Sequence, residues 1–177
     1  MATPYPSAGY TEEAPDVCSL TTFGPAWVDT PSSYWLPDSD GLSQWISPYV
    51  NFPGTTGGWY IYRTTVPIPS NSSGEQYLLT VAGRLLADDL PSAVVFQTSS
   101  LSPRTCSVVS LPSLAPVTGS PTAIDETWDH FHFATIVAPG TSAYLYVIVF
   151  NVEYAPGVYG NGTGLRVEFT SVYFTPI

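Results

Sequence analysis

Gly164-Leu165-Arg166-Val167-Glu168-Phe169 puts an apolar side chain at every second position, with Arg166 and Glu168 between them. Successive side chains leave a strand on opposite sides, so a period of two marks a strand with one buried face. The same alternation runs through His130-Phe131-His132-Phe133, where two rings oppose two imidazoles. Two further runs, from Trp59 to Val66 and from Tyr144 to Phe150, are apolar on both faces, as strands covered on each side require. Working outward, short β-branched or aromatic runs bounded by Pro, Gly, Ser or Asn recur along the chain. Strands are expected at 19–23, 26–30, 44–46, 58–67, 76–82, 93–97, 105–110, 127–136, 143–152 and 163–174. Eighteen prolines and fourteen glycines are spread among them and leave little room for helices, and no capped amphipathic pattern stands out. About ten short strands with Pro-rich connections predict an all-β fold, a two-sheet antiparallel β-sandwich. Residues 1–15 read as an extended N-terminal arm and residues 16–177 as a single domain, since 177 residues suit one core better than two.

Charge narrows the function classes. The chain has no Lys, only Arg63, Arg84, Arg104 and Arg166 against fourteen acidic residues, for a net charge of −10. Phosphate binding needs a basic surface that releases counterions, so nucleic acid is not an expected partner. Anionic membrane surfaces are disfavoured on the same ground. The longest apolar run, 143–150, is the length of a strand, and no membrane insertion is expected. Met1-Ala2-Thr3-Pro4-Tyr5-Pro6 has neither the basic start nor the apolar run of a signal peptide. Cys18 and Cys106 fit one disulfide. It would close a loop of roughly 90 residues, worth about 4–5 kcal/mol in the chain-entropy model. An extracellular or surface-exposed setting follows, on a cell or on a virus particle.

Four motifs carry a family resemblance. They are Ser43-Gln44-Trp45-Ile46-Ser47-Pro48, then Gly58-Trp59-Tyr60-Ile61-Tyr62-Arg63-Thr64-Thr65, then Ala82-Gly83-Arg84 with Ala87-Asp88-Asp89, and last Asn161-Gly162-Thr163-Gly164-Leu165-Arg166-Val167-Glu168-Phe169. In this order and spacing they resemble exported bacterial domains associated with PEP-CTERM-sorted surface proteins. The resemblance spans about 23–174 and implies a jelly roll of the galactose-binding-like type. The stretch 92–104 lacks the Asn-Gly turn usual in that family. The chain also ends at Thr175-Pro176-Ile177 without an apolar, basic-ended sorting tail, so anchoring by that route is not expected.

Candidate chemistry is sparse. Only His130 and His132 can serve a nucleophile triad, and no Gly-x-Ser-x-Gly elbow surrounds a serine. Asp88-Asp89 and Asp125-Glu126 are neighbours in sequence, and such neighbours in a strand point to opposite faces, unlike the paired carboxylates of glycoside hydrolysis. No catalytic residue is expected. A structural calcium is the one possible cofactor. Asp38 and Asp40, two apart before Gly41, and the pair Asp88 and Asp89 are its candidate oxygen ligands. Sugars are gripped by an aromatic ring against a C–H face with planar amide or carboxylate partners. Trp27, Trp35, Tyr49, Tyr154 and Tyr159 are the candidate ligand-binding platforms. Trp45 and Trp59, inside the motifs, read as core. Arg63, Arg84 and Arg166 are expected in fixed ion pairs with Asp88, Asp89 or Glu168, where a planar fork matches a carboxylate.

These readings converge on a non-catalytic extracellular or surface module that binds carbohydrate or another surface ligand. The alternative is a structural assembly protein, a virion decoration protein or filament subunit, whose arm packs on a neighbouring subunit. An exposed aromatic cluster beside amides favours the first, and an arm standing off the body favours the second.

Overall fold

The computed structural model describes residues 2–3, 26–28, 41–48, 58–88, 90–98, 106–110, 128–151 and 164–177. All regular structure among them is β: β1 (Ala2–Thr3), β2 (Trp27–Val28), β3 (Ile46–Ser47), β4 (Gly58–Pro67), β5 (Tyr77–Asp88), β6 (Leu90–Thr98), β7 (Cys106–Ser110), β8 (Asp129–Val137), β9 (Ser142–Asn151) and β10 (Gly164–Pro176). No helix among these residues is long and apolar enough to cross a membrane.

The strands form two antiparallel sheets, A in the order β1-β4-β9-β6-β7 and B in the order β2-β3-β10-β5-β8. From β3 onward the chain swings from one sheet to the other at every connection except the β6–β7 hairpin. As a result β9 lies between β4 and β6, and β10 between β3 and β5. Those interleaved returns are the two Greek keys of a jelly roll. The fold class expected from the sequence is therefore the one observed.

Alternation decides what goes inside. Tyr60, Tyr62 and Val66 of β4, Phe96 of β6, and Leu145, Val147 and Val149 of β9 meet Leu79, Val81 and Leu85 of β5, Phe131 and Phe133 of β8, and Leu165 of β10 in one buried core. Each such side chain contributes about 1.5–3 kcal/mol by leaving water. Phe96 stacks on Phe133 across the gap, centroids 5.4 Å apart, and joins the two sheets directly. The crossover after β4 and the one after β8 meet at one end. There Ile68 N donates to Thr141 O, and Gly140 N donates to Pro69 O. Gly140 takes φ +70° at this crossing, a conformation that favours glycine.

Two strands carry bulges. In β10 the register against β5 shifts between Phe169 and Ser171, leaving Thr170 as the extra residue. In β6 the shift against β9 falls between Pro91 and Ala93, where a proline costs the ladder least.

Ala2 and Thr3 pair antiparallel with Tyr62 and Ile61, so β1 extends sheet A along the edge of β4. The sequence offered the arm little reason to pack on its own domain. At these two residues it does so, because the outer strand of an open sheet has unpaired backbone groups that an extended segment satisfies.

Candidate functional site

Both sheets bury side chains on their outer faces as well as between them, and the polar chemistry gathers on those outer faces. On sheet B the centre is Glu168, almost fully buried. Arg84 Nε donates to its Oε2 at 2.6 Å and Arg166 Nη2 to its Oε1 at 3.1 Å. Ser43 Oγ donates to Oε1 at 2.9 Å while accepting from Arg166 Nε at 2.6 Å. The register explains the meeting, since Glu168 lies opposite Arg84 and Arg166 opposite Leu86. Half-buried Trp128 covers both cations, with the Arg84 guanidinium 4.2 Å and that of Arg166 5.2 Å from its ring centroid. Trp45 and Leu86 pack beneath it. Burial would raise the Glu168 pKa. The hydrogen bonds from Arg84 and Ser43 and the charges of Arg84 and Arg166 outweigh it and hold the carboxyl below its ordinary 4.5. A carboxylate saturated by two guanidiniums and a hydroxyl is a clamp, joining β10 to β5 and to the segment before β3. The ion pairs expected for Arg84 and Arg166 are thus present, with Glu168 as their shared partner.

On sheet A the outer face is aromatic. Tyr144 of β9 lies opposite Thr65 of β4 and Gln97 of β6, and Tyr146 lies opposite Arg63 and Val95. Tyr146 Oη donates to Gln97 Oε1 at 2.7 Å. Gln97 is buried, and its Nε2 has no hydrogen-bond partner among the described residues. An amide donor left so is costly inside a protein, by about 1–3 kcal/mol. The Arg63 guanidinium lies over the Tyr144 ring, 5.2 Å from the centroid. Further along the same face Trp59 tilts against Phe150 with centroids 4.7 Å apart. Ile61, Val95, Tyr146 and Ile148 form the buried floor, and Trp59, Arg63 and Tyr144 stand half-buried around it. The arrangement brings half-buried ring faces, a guanidinium and a buried amide together on three adjacent strands.

The expected platforms fare differently. Trp27 lies in β2 opposite Ser47, while Trp35, Tyr49, Tyr154 and Tyr159 lie outside the described residues. Of the calcium candidates, Asp88 is buried at the end of β5 opposite Gly164. Asp38, Asp40 and Asp89 lie outside the described residues. No three His, Cys, Asp or Glu side chains gather as a metal site among the described residues. Cys106 stands in β7 opposite Gln97, and Cys18 lies outside the described residues. His130 and His132 are exposed on β8, with Phe131 and Phe133 buried on its other face. Asn71, which opens the glycosylation sequon Asn71-Ser72-Ser73, closes a turn. Its Nδ2 donates to Glu75 O and its Oδ1 accepts from Gly74 N.

Gln97, Tyr144 and Tyr146 were not singled out from the sequence. The available signal was a lone amide after the apolar run 93–96, a polar group in a strand that otherwise reads as buried.

No family model matches the chain, and no curated protein matches it in sequence. Among solved structures it is similar to a carbohydrate-binding module, CBM4, at 17% identity over 86% of this chain and 78% of that one, with a TM-score of 0.35. It is also similar to the enzymatically active domain of tailspike protein 4 of bacteriophage CBA120, at 13% identity over 76% of this chain, with a TM-score of 0.34. The chain spans 15% of that tailspike's length. Likenesses at this level carry no argument about function. The jelly roll stands on the strand order itself.

Proposed function

We propose that the domain is a non-catalytic extracellular or surface module that binds carbohydrate, and that the outer face of sheet A is the binding face. The observation that supports this reading is the Arg63–Tyr144 stack beside Gln97, whose amide nitrogen has no partner among the described residues. Sugar rings present C–H faces to aromatic rings and hydroxyl pairs to planar forks. A site of this kind combines an apolar floor with a few convergent polar groups. Trp59 supplies a second ring further along the same face.

A glycan array followed by calorimetry on the best hit tests it. Tyr144→Ala and Gln97→Ala are expected to weaken binding at least tenfold, the equivalent of about 1.4 kcal/mol. His132→Ala, on the outer face of the other sheet, leaves binding unchanged. A blank array, or a hit that both sheet A substitutions leave intact, would sink the reading.

A further inference from the structure

β10 is paired along one edge and meets a described strand at a single residue along the other. β10 bonds to β5 along its whole length, from Gly164 opposite Asp88 to Pro176 opposite Tyr77. On its other side β3 reaches it only at Leu165. Beyond Leu165, no strand among the described residues lies along that edge. The exposure agrees, since Phe169 is 42%, Val172 37% and Tyr173 65% exposed. An open edge presents a row of unpaired N–H and C=O groups, and natural sheets blunt such edges with charge, proline, bulges or a covering segment. On the edge of β4, β1 pairs at Ile61 and Tyr62. The opposite edge of sheet B, β8, carries Asp129, His130 and His132. From 169 to 177 the chain has no charged residue at all.

We infer that β10 is a self-association strand and that its partner is β10 of a second copy of this chain, antiparallel about a two-fold axis. Three features select a second copy. Each molecule carries a net charge of −10, so two bodies repel wherever acidic surface meets, and the uncharged β10 strip is where they can approach. The bulge at Thr170 bounds the pairing segment on one side and Pro176 on the other, leaving 171–175 free to pair. About Tyr173 that segment is self-complementary: Val172 falls opposite Phe174 and Ser171 opposite Thr175, so apolar meets apolar on one face and hydroxyl meets hydroxyl on the other. The interface is isologous and closes at two copies, joining both B sheets edge to edge.

Light scattering over a concentration series tests this on the native chain and on Val172→Lys, which places a charge inside the new ladder. The native mass is expected to approach twice the 19.0 kDa of one chain while Val172→Lys stays at one chain. If Val172→Lys fails to fold, Thr175→Lys, at an exposed position, gives the same readout. Tyr173→Cys is expected to form a reducible covalent dimer on oxidation, because facing Cα atoms in an antiparallel pair lie within disulfide reach. A native chain that stays at 19.0 kDa throughout overturns the inference. So does a charged variant that assembles like the native chain, or an assembly that grows past two copies.

Discussion

Glu168 is the residue on which the outer face of sheet B depends. It pairs with two guanidiniums, one of them Arg166, which is 1% exposed and has no aqueous alternative. Breaking a buried pair by removing one partner leaves an uncompensated charge. Glu168→Gln is therefore expected to cost about 3–5 kcal/mol at neutral pH, read from urea unfolding. The pH dependence has a definite sign. The folded carboxyl sits below the ordinary 4.5, so near that pH the unfolded chain binds more protons than the folded one. The stabilisation is fully present above 4.5 and is lost as the pH falls through the lower folded value. A urea midpoint that drops below that pH in the native chain, with the drop reduced in Glu168→Gln, is the expected outcome. Equal acid slopes in the two proteins would remove Glu168 from the account.

At the scale of the strand, Gly83 keeps β5 unbroken. A Cβ there would lie 2.4 Å from the Phe131 ring and 2.6 Å from the Glu168 carbonyl oxygen. The ring fills the space the glycine leaves, and Phe169 meets it edge-on with centroids 6.2 Å apart. Gly83→Ala is expected to cost about 1–3 kcal/mol by overpacking, because one neighbour is backbone and cannot swing aside. Calorimetric melting checks it, and an unchanged Tm would mean the strands slide apart freely. This site also marks how far the sequence was readable. The strand at 58–67 is expected at its observed bounds, and those at 143–152 and 163–174 within two residues, because a continuous apolar run specifies the first two locally and a period of two specifies the third. β5 was expected to stop at 82 and runs to Asp88. Gly83-Arg84 reads locally as an interruption, whereas the ring and the carboxylate that accommodate it come from β8 and β10. The candidate binding face was hidden for the same reason. Arg63, Gln97 and Tyr144 lie on three strands far apart in sequence, and only the register of β4, β9 and β6 brings them together. The clamp on sheet B was partly legible, since four arginines among fourteen acids leave few ways to bury a guanidinium.

For the whole molecule the governing quantity is its net charge of −10. Two copies joined at an uncharged strip gain nothing from ionic attraction and work against the repulsion of their remaining surfaces. Salt screens that repulsion, with a Debye length of about 30 Å at 0.01 M and about 10 Å at 0.1 M. Self-association is therefore expected to strengthen as salt rises over this range, measured by sedimentation. A contact made of ion pairs would weaken instead, and that result would move the interface away from β10.

The strand order also sets a timetable. Asp88 of β5 waits for Gly164 of β10. A ribosome adding roughly 5–20 residues each second needs about 4–15 s to cover the stretch between them. During that interval the nascent chain holds Leu79, Val81 and Leu85 with half of their sheet not yet made. Sheet B cannot be assembled piecemeal from the front of the chain. Folding is a late event in the life of each molecule, and any chain cut short before Gly164 is left with a sticky, half-built layer for proteases and chaperones to find.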